Sequence, residues 1–202
     1  MNFNKKTVLV TGAAVGIGRA KAIKFAQNGA NVVLADINIK ELESVKKEVE
    51  IYTKNVLIFQ CDISDEKGVY SVVKEAESAF DKIDILVNNA ALWRCGAPFI
   101  DTPTDEWKKF IDVNIMVVVY FTKAVLPKMI ENGYGRIINV SSVAGVYGNA
   151  NMVHYSATKG ALISMTKAIA KEVTDKGVLV NCVSPGSVSP GENKNMNYFE
   201  NC

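Results

Sequence analysis

The sequence predicts an α/β fold: one parallel sheet, doubly wound by helices, in a single domain. Two observations carry this. Short β-branched runs alternate with longer helical patterns across the 202 residues, and the strand-like runs are apolar without a break. Strands that read this way are buried on both faces, which a parallel sheet covered by helices achieves. Right-handed crossovers make the doubly wound order the default. A third observation is negative, since no internal repeat, low-complexity tract or shift of composition marks a second domain.

Thr7-Val8-Leu9-Val10 is the first strand, and a helix follows from near Gly16 to Asn28-Gly29. Asn31 to Ala35 is the second strand, and the next helix places Leu42, Val45 and Val49 on one face. Val56 to Phe59 is the third strand. After it, Val69, Val72, Val73, Ala76 and Phe80 form an amphipathic stripe. Ile85-Leu86-Val87, Ile137 to Val140 and Val178 to Val183 complete six strands.

Two further helices are apolar over more than one face. Asn114 to Ile130 carries Ile115 to Phe121, Val125, Leu126 and Met129, and Tyr155 to Val173 carries Leu162, Ile163, Met165 and Ile169. A helix covering a sheet needs one stripe. The excess predicts either a second subunit or cover by the chain's own loops.

Composition narrows the function classes. Hydrophobic residues make up 49% and charged residues 22%, with a formal net charge of +2 and no basic tract, so nucleic acid is not the expected partner. Ile115 to Phe121 is too short an apolar run to span a bilayer. The first six residues show no signal-peptide core, so a cytoplasmic protein without a membrane partner is expected. Cys61, Cys95, Cys182 and Cys202 are too scattered for a disulfide framework or a metal site, and Cys61 and Cys182 read as small buried hydrophobes. His154 is the only histidine and no GxSxG turn accompanies it, which argues against a serine hydrolase.

The first strand runs into Thr11-Gly12-Ala13-Ala14-Val15-Gly16-Ile17-Gly18, where a helix opens. Glycines let the backbone turn tightly and approach a pyrophosphate, and the N–H groups of a helix start favour negative charge. Asp36 ends the second strand, 18 residues after Gly18. A carboxylate there can accept from the adenosine ribose hydroxyls and repels a 2′-phosphate, and Val15 and Ile37 offer no cation to neutralise one. NAD is therefore expected over NADP. Asp36 can instead cap the helix after it, and Asp62 can either hold the adenine amino group or cap a helix.

Tyr155 and Lys159 stand four residues apart in a helical segment, so they share a face. A tyrosine, with a pKa near ~10, is a poor base at neutral pH, and bringing it near ~7 takes roughly 4 kcal/mol. The lysine ammonium and an oxidised nicotinamide ring together can supply that. Ser141-Ser142 closes the fifth strand, Asn88-Asn89-Ala90 closes the fourth, and Asn114 opens the first broad apolar helix. Ligands of such sheets bind at the strand carboxyl ends, where these polar residues converge.

Thr11-Gly12-x-x-x-Gly16-Ile17-Gly18, Asn88-Asn89-Ala90, Asn114, Ser142, Tyr155-Ser156-Ala157-Thr158-Lys159 and Pro185-Gly186 together resemble the short-chain dehydrogenase/reductase family, over the chain up to about Val188. The resemblance implies a Rossmann-type domain over 1–190 that oxidises a secondary alcohol or reduces a ketone. It makes Tyr155 the acid/base, Lys159 the holder of the nicotinamide ribose, Ser142 the partner of the substrate oxygen, and Asn114 the support of a water in a proton relay. Implied cofactor contacts are Gly12, Val15, Gly16, Ile17 and Gly18 in the loop and Asp36, Ile37, Asp62 and Ile63 after the second and third strands. Asn89, Ala90 and Ala91 follow the fourth strand, Tyr155 and Lys159 lie on the helix, and Pro185, Gly186 and Val188 lie after the sixth strand. The family is usually dimeric or tetrameric through the two broad apolar helices.

Ala91 stands where the family has glycine, and Ser189-Pro190 replaces a threonine. The polar tail 191–202 shows no strand pattern, so the usual last helix and strand are expected to be lacking. Two other readings stay open: an NADPH-dependent reductase of 3-oxoacyl thioesters, and a dinucleotide-binding module without turnover. Trp93, Arg94, Val143, Tyr147 and His154 fall beside the expected pocket, with His154 expected at a surface or interface.

Overall fold

The computed structural model describes residues 2–62, 65–94 and 96–188. Ile63, Ser189-Pro190 and the tail 191–202, for which expectations were stated above, lie outside them. Six strands, β1 (Thr7–Thr11), β2 (Asn31–Asp36), β3 (Val56–Gln60), β4 (Ile85–Asn88), β5 (Gly135–Val140) and β6 (Val178–Val183), form one sheet in the order β3-β2-β1-β4-β5-β6. Every pairing is parallel. The order reverses between β1 and β4, the switch point at which such sheets form a ligand crevice above the strand carboxyl ends. The expected α/β Rossmann-type doubly wound sheet is the fold observed.

Alternation along the strands divides the core. Val8, Val10, Val32, Leu34, Ile85 and Val87 face α1 (Gly16–Gln27) and α2 (Ile39–Val49). Leu9, Val33, Leu86, Ile137, Val178 and Val180 face the other layer, which holds α3 (Glu66–Phe80) and the long helices described next. Asn38 caps α2 by accepting from the Glu41 N–H at 3.3 Å, and Asp65 caps α3 by accepting from Lys67. Neither Asp36 nor Asp62 is the capping residue of these helices. In each case the cap stands two or three residues further on, directly before the first helical turn.

Asn114 does not open a helix. One continuous helical segment runs from Thr104 to Glu131 as α4 (Thr104–Ile111), a π-type turn (Asp112–Met116) and α5 (Val117–Glu131). α4 escapes an apolar scan because its inward side rests on little more than Trp107 and Phe110, between Asp105-Glu106 and Lys108-Lys109. The whole segment is long and apolar enough to cross a bilayer by length and composition. Its α5 part is nevertheless a core helix, burying Val117, Val118, Phe121, Val125 and Met129 against β4 and β5. A short helix α6 (Ala144–Tyr147) precedes α7 (Val153–Val173), which begins two residues before Tyr155. Ile115, Val119 and Ile163 stay only partly buried on the outer sides of these helices.

Candidate active site

The glycine loop is built for close approach. Gly12 and Gly16 take positive φ, at 62° and 56°. A Cβ on Gly18 would stand 2.0 Å from the Gly12 carbonyl oxygen, and one on Gly12 would stand 2.7 Å from the Ala90 Cα, so neither position admits a side chain. Thr11 and Asn89 brace the loop against the end of β4. The Thr11 hydroxyl accepts from the Asn89 and Ala90 N–H groups, each at 3.0 Å, and Asn89 Nδ2 donates to the carbonyls of Thr11 and Gly12. The Asn89 side chain is thereby committed to holding the loop. No side chain caps the N-terminus of α1 among the described residues, and first-turn N–H groups left without a cap suit a phosphate anion.

Asp36 reaches back to this loop. Its Oδ2 accepts from the Ala14 N–H and its Oδ1 from the Asn38 N–H, both at 3.0 Å. Val15 follows the bonded Ala14 and Ile37 follows Asp36, and both are well exposed, at 61% and 64%. Two apolar surfaces flanking a half-buried carboxylate make a seat for a flat base with its ribose between them. Asp62 is exposed beyond the end of β3, and its carbonyl accepts from the Asp65 N–H.

At the other end of the crevice, Ser142, Tyr155 and Lys159 converge as their spacing predicts. Tyr155 and Lys159 are 8% and 2% exposed, and the Lys159 ammonium lies 5.8 Å from the Tyr155 ring centre. Lys159 Nζ donates to the Val140 carbonyl at 2.9 Å, at the end of β5. The phenol, however, is not made more acidic here. Burial raises its pKa above the ordinary value, and the Ser142 hydroxyl only partly offsets this. Ser141 turns the other way and donates to the Lys159 carbonyl at 2.7 Å.

Asn114 lies in the π-type turn and is fully buried. Its Oδ1 accepts from the Leu92 N–H at 2.7 Å, while Nδ2 donates to the Leu92 carbonyl and the Thr158 hydroxyl. The side chain therefore ties the segment after β4 to the helix of Tyr155. Pro185 is fixed by its carbonyl, which accepts from the Val143 N–H at 3.0 Å. Gly186 and Val188 are exposed beyond it, as is Ala91 after β4. Among the described residues no group of three or more potential metal ligands occurs.

A family model described as short chain dehydrogenase matches residues 6–201. The chain belongs to the short-chain dehydrogenases. Members of this family are oxidoreductases that use a nicotinamide cofactor. A 3-oxoacyl-[acyl-carrier-protein] reductase, FabG, of Thermotoga maritima is 39% identical over 188 residues, which cover 93% of this chain and 76% of that one. The 2-dehydro-3-deoxy-L-rhamnonate dehydrogenase (NAD(+)) of a Sphingomonas species is 35% identical, over 90% of this chain and 72% of its own. Among solved structures, an NAD+-bound xylitol dehydrogenase superposes with a TM-score of 0.91 at 37% identity, covering 95% of this chain and 74% of that one.

Several features of this short-chain dehydrogenase escape the sequence reading. His154 is not at a surface: it is 1% exposed and lies against the Phe110 ring, centroids 4.0 Å apart. The missing signal was α4, whose aromatic face covers it. Cys61 is buried as expected, and burial pushes its thiol up to about 11, but Cys182 is only half-buried. A polar strip crosses the α5/α7 side of the core. In it Asn88 Nδ2 donates to Asn139 Oδ1 at 2.9 Å and to the Thr122 hydroxyl, and Asn139 Nδ2 donates to the Thr166 hydroxyl.

Lys21 is the other surprise. Its Nζ is buried and has no hydrogen-bond partner among the described residues, and burial lowers its pKa to about 8. Its spacing signal is simple, since it stands between Gly18 and Ala22 on the helix side turned to the sheet. Lys159 also falls to about 8, mainly by burial; the Cys182 thiol opposes the fall and the Lys21 charge adds to it.

Between about 8 and the ordinary 10.5, the unfolded chain holds a proton on Lys21 that the folded chain has released, so stability rises with pH in that window. The shift corresponds to about 3 kcal/mol at most, which screening on the partly exposed side chain reduces to roughly 1–2 kcal/mol. Lys21→Met should therefore stabilise the protein by that amount at neutral pH. The gain should shrink as pH rises toward 10.5, read as the difference in urea-unfolding free energy between variant and parent across the range.

Proposed function

We propose that the chain is an NAD(H)-dependent oxidoreductase that moves a hydride between the nicotinamide and a secondary alcohol or ketone, with Tyr155 as acid/base. The observation that carries this reading is the convergence of Ser142, Tyr155 and Lys159 at one end of a crevice whose other end presents the glycine loop and Asp36. The cradle fits a dinucleotide: Gly12 and Gly18 leave no space for a Cβ, and the uncapped start of α1 suits a pyrophosphate.

In this reading the nicotinamide supplies the hydride acceptor or donor. Gly12, Gly16, Ile17 and Gly18 hold the pyrophosphate, Asp36 takes the adenosine ribose hydroxyls, and Val15, Ile37 and Asp62 serve the base. Ala90, Ala91, Pro185, Gly186 and Val188 line the nicotinamide side, with Asn89 fixing the loop beneath. Ser142 donates to the substrate oxygen. In oxidation the Tyr155 phenolate takes the hydroxyl proton as hydride leaves the carbinol carbon, and in reduction the phenol returns it to the new alkoxide. Lys159 holds the nicotinamide ribose and, with its ammonium on the same face as the phenol, favours the phenolate. Both Nδ2 hydrogens of Asn114 are spent on Leu92 and Thr158, so in a proton relay Asn114 offers a water an acceptor and no side-chain donor.

The partly exposed apolar residues on α5 and α7 support a homodimer or homotetramer, and we place the protein in the cytoplasm. The FabG relative favours a second reading, reduction of a 3-oxoacyl thioester with NADPH. Titrating the protein with NAD and NADP, then screening polyols, hydroxyacyl compounds and steroids for NADH formation, separates the two. Tight NAD binding with alcohol-dependent NADH formation supports the proposal. NADP bound more tightly, with 3-oxoacyl reduction, supports the second reading, and binding without any turnover sinks both.

A further inference from the structure

The structure assigns Glu106, on α4, as a positioning residue for Tyr155: through His154 its carboxylate fixes the first turn of α7, and through Arg94 it fixes the segment after β4 to the same point. This inference rests on the reading of Tyr155 as acid/base. Tyr155 is the third residue of a helix that lacks a capping side chain, since the residue at the cap is Met152. An uncapped helix start leaves its N–H groups unsatisfied and frays. A residue on which proton transfer depends would there be the least ordered of its helix.

Contacts from outside the helix replace the cap. His154, adjacent to Tyr155, donates from Nε2 to Glu106 Oε1 at 3.1 Å. A carboxylate oxygen only accepts, so Nε2 carries the proton, and Nδ1 is then a buried acceptor with no partner among the described residues. The imidazole therefore depends on Glu106 for its hydrogen bonding. The same Oε1 accepts from Arg94 Nε at 2.8 Å, and Arg94 Nη2 stands 2.8 Å from it as the other half of the ion pair. Burial opposes ionisation of Glu106, but the bonds from His154 and Arg94 outweigh it and hold the group below its ordinary value.

The packing is equally direct. Phe110, one turn along α4 from Glu106, touches both the His154 ring and, edge-on at 6.5 Å, the Tyr155 ring. The Gly96 N–H donates to the Asn151 carbonyl at 3.0 Å, and a Cβ on Gly96 would stand 3.0 Å from His154 Cε1. Three segments thus meet at one carboxylate, and the wall of the crevice is locked to the start of the catalytic helix.

The test compares Glu106→Gln and Arg94→Met with the parent by hydrogen exchange along α7, with kcat and KM measured on an alcohol that the parent oxidises. Glu106→Gln keeps the shape but removes the charge that gathers both donors. Exchange at residues 156–159 should quicken about ten-fold with 163–173 unchanged, and kcat should fall roughly ten-fold with NAD affinity unmoved. Arg94→Met leaves the His154 bond intact, so it should raise KM and spare both kcat and protection of the helix start. Unchanged exchange at 156–159 in Glu106→Gln overturns the assignment, as does a rise spread evenly over α7, which marks general loosening. If the parent oxidises no alcohol, the proposed function fails on its own, and the exchange pattern still decides whether Glu106 orders the helix start.

Discussion

Replacing Tyr155 with Phe is expected to lower kcat for alcohol oxidation by about a thousand-fold or more while leaving the NAD dissociation constant within about two-fold of the parent. The ring is packed by Phe110, and the substitution keeps it, so the change removes one hydroxyl and its proton. Steady-state kinetics alongside a binding titration separate the two quantities. Direction of reaction enters through the pKa. Burial raises the phenol, so at neutral pH it holds its proton and is ready to give it to a nascent alkoxide. Oxidation needs the phenolate, so its rate should climb as pH rises above neutral, whereas reduction should not. The climb should be absent from whatever activity Tyr155→Phe retains. Turnover that persists in the variant at near-parent rates would remove Tyr155 from the chemistry.

The second large effect concerns cofactor choice. Asp36→Asn should lower the preference for NAD over NADP by roughly a hundred-fold. A carboxylate about 4 Å from a phosphate charge costs about 4 kcal/mol at an effective dielectric of 20, and water at this half-open site trims that to about 3. The amide keeps an acceptor for the Ala14 N–H, so the loop keeps its shape while the repulsion goes. Affinity for NAD itself should fall about ten-fold, because a charge-assisted bond to the ribose becomes a neutral one. Paired titrations of parent and variant with both dinucleotides read this directly. An unchanged ratio would mean that Asp36 faces away from the 2′ position and serves only the Ala14 and Asn38 main chain.

The sheet and most of its helices were legible because burial on both faces writes itself into uninterrupted apolar strands, as in Val32-Val33-Leu34. The glycine loop was equally legible, since Gly12 and Gly18 are demanded by a backbone approach that excludes any Cβ. Helical spacing put Tyr155 and Lys159 on one face, and the other motifs beside them gave the pair its expected role. Orientation and commitment were not legible. Nothing in the spacing says that the Asn89 and Asn114 amides are spent on neighbouring groups, or that burial outweighs the Ser142 hydrogen bond at the phenol. Sequence alone puts His154 at a surface or interface because α4, which covers it, carries more charged than apolar residues and shows no apolar pattern. The Lys21 ammonium, without a hydrogen-bond partner among the described residues, departs from the rule that a buried charge has a partner, so no local pattern marks it.

Mixing the protein with NAD and a panel of secondary alcohols deuterated at the carbinol carbon, then weighing the recovered dinucleotide, tests the central claim most directly. The account predicts deuterium on the nicotinamide ring of the reduced cofactor, a matching ketone, and roughly a thousand-fold less of both with Tyr155→Phe. Reduced cofactor without deuterium, or a label that appears equally fast without Tyr155, would contradict it.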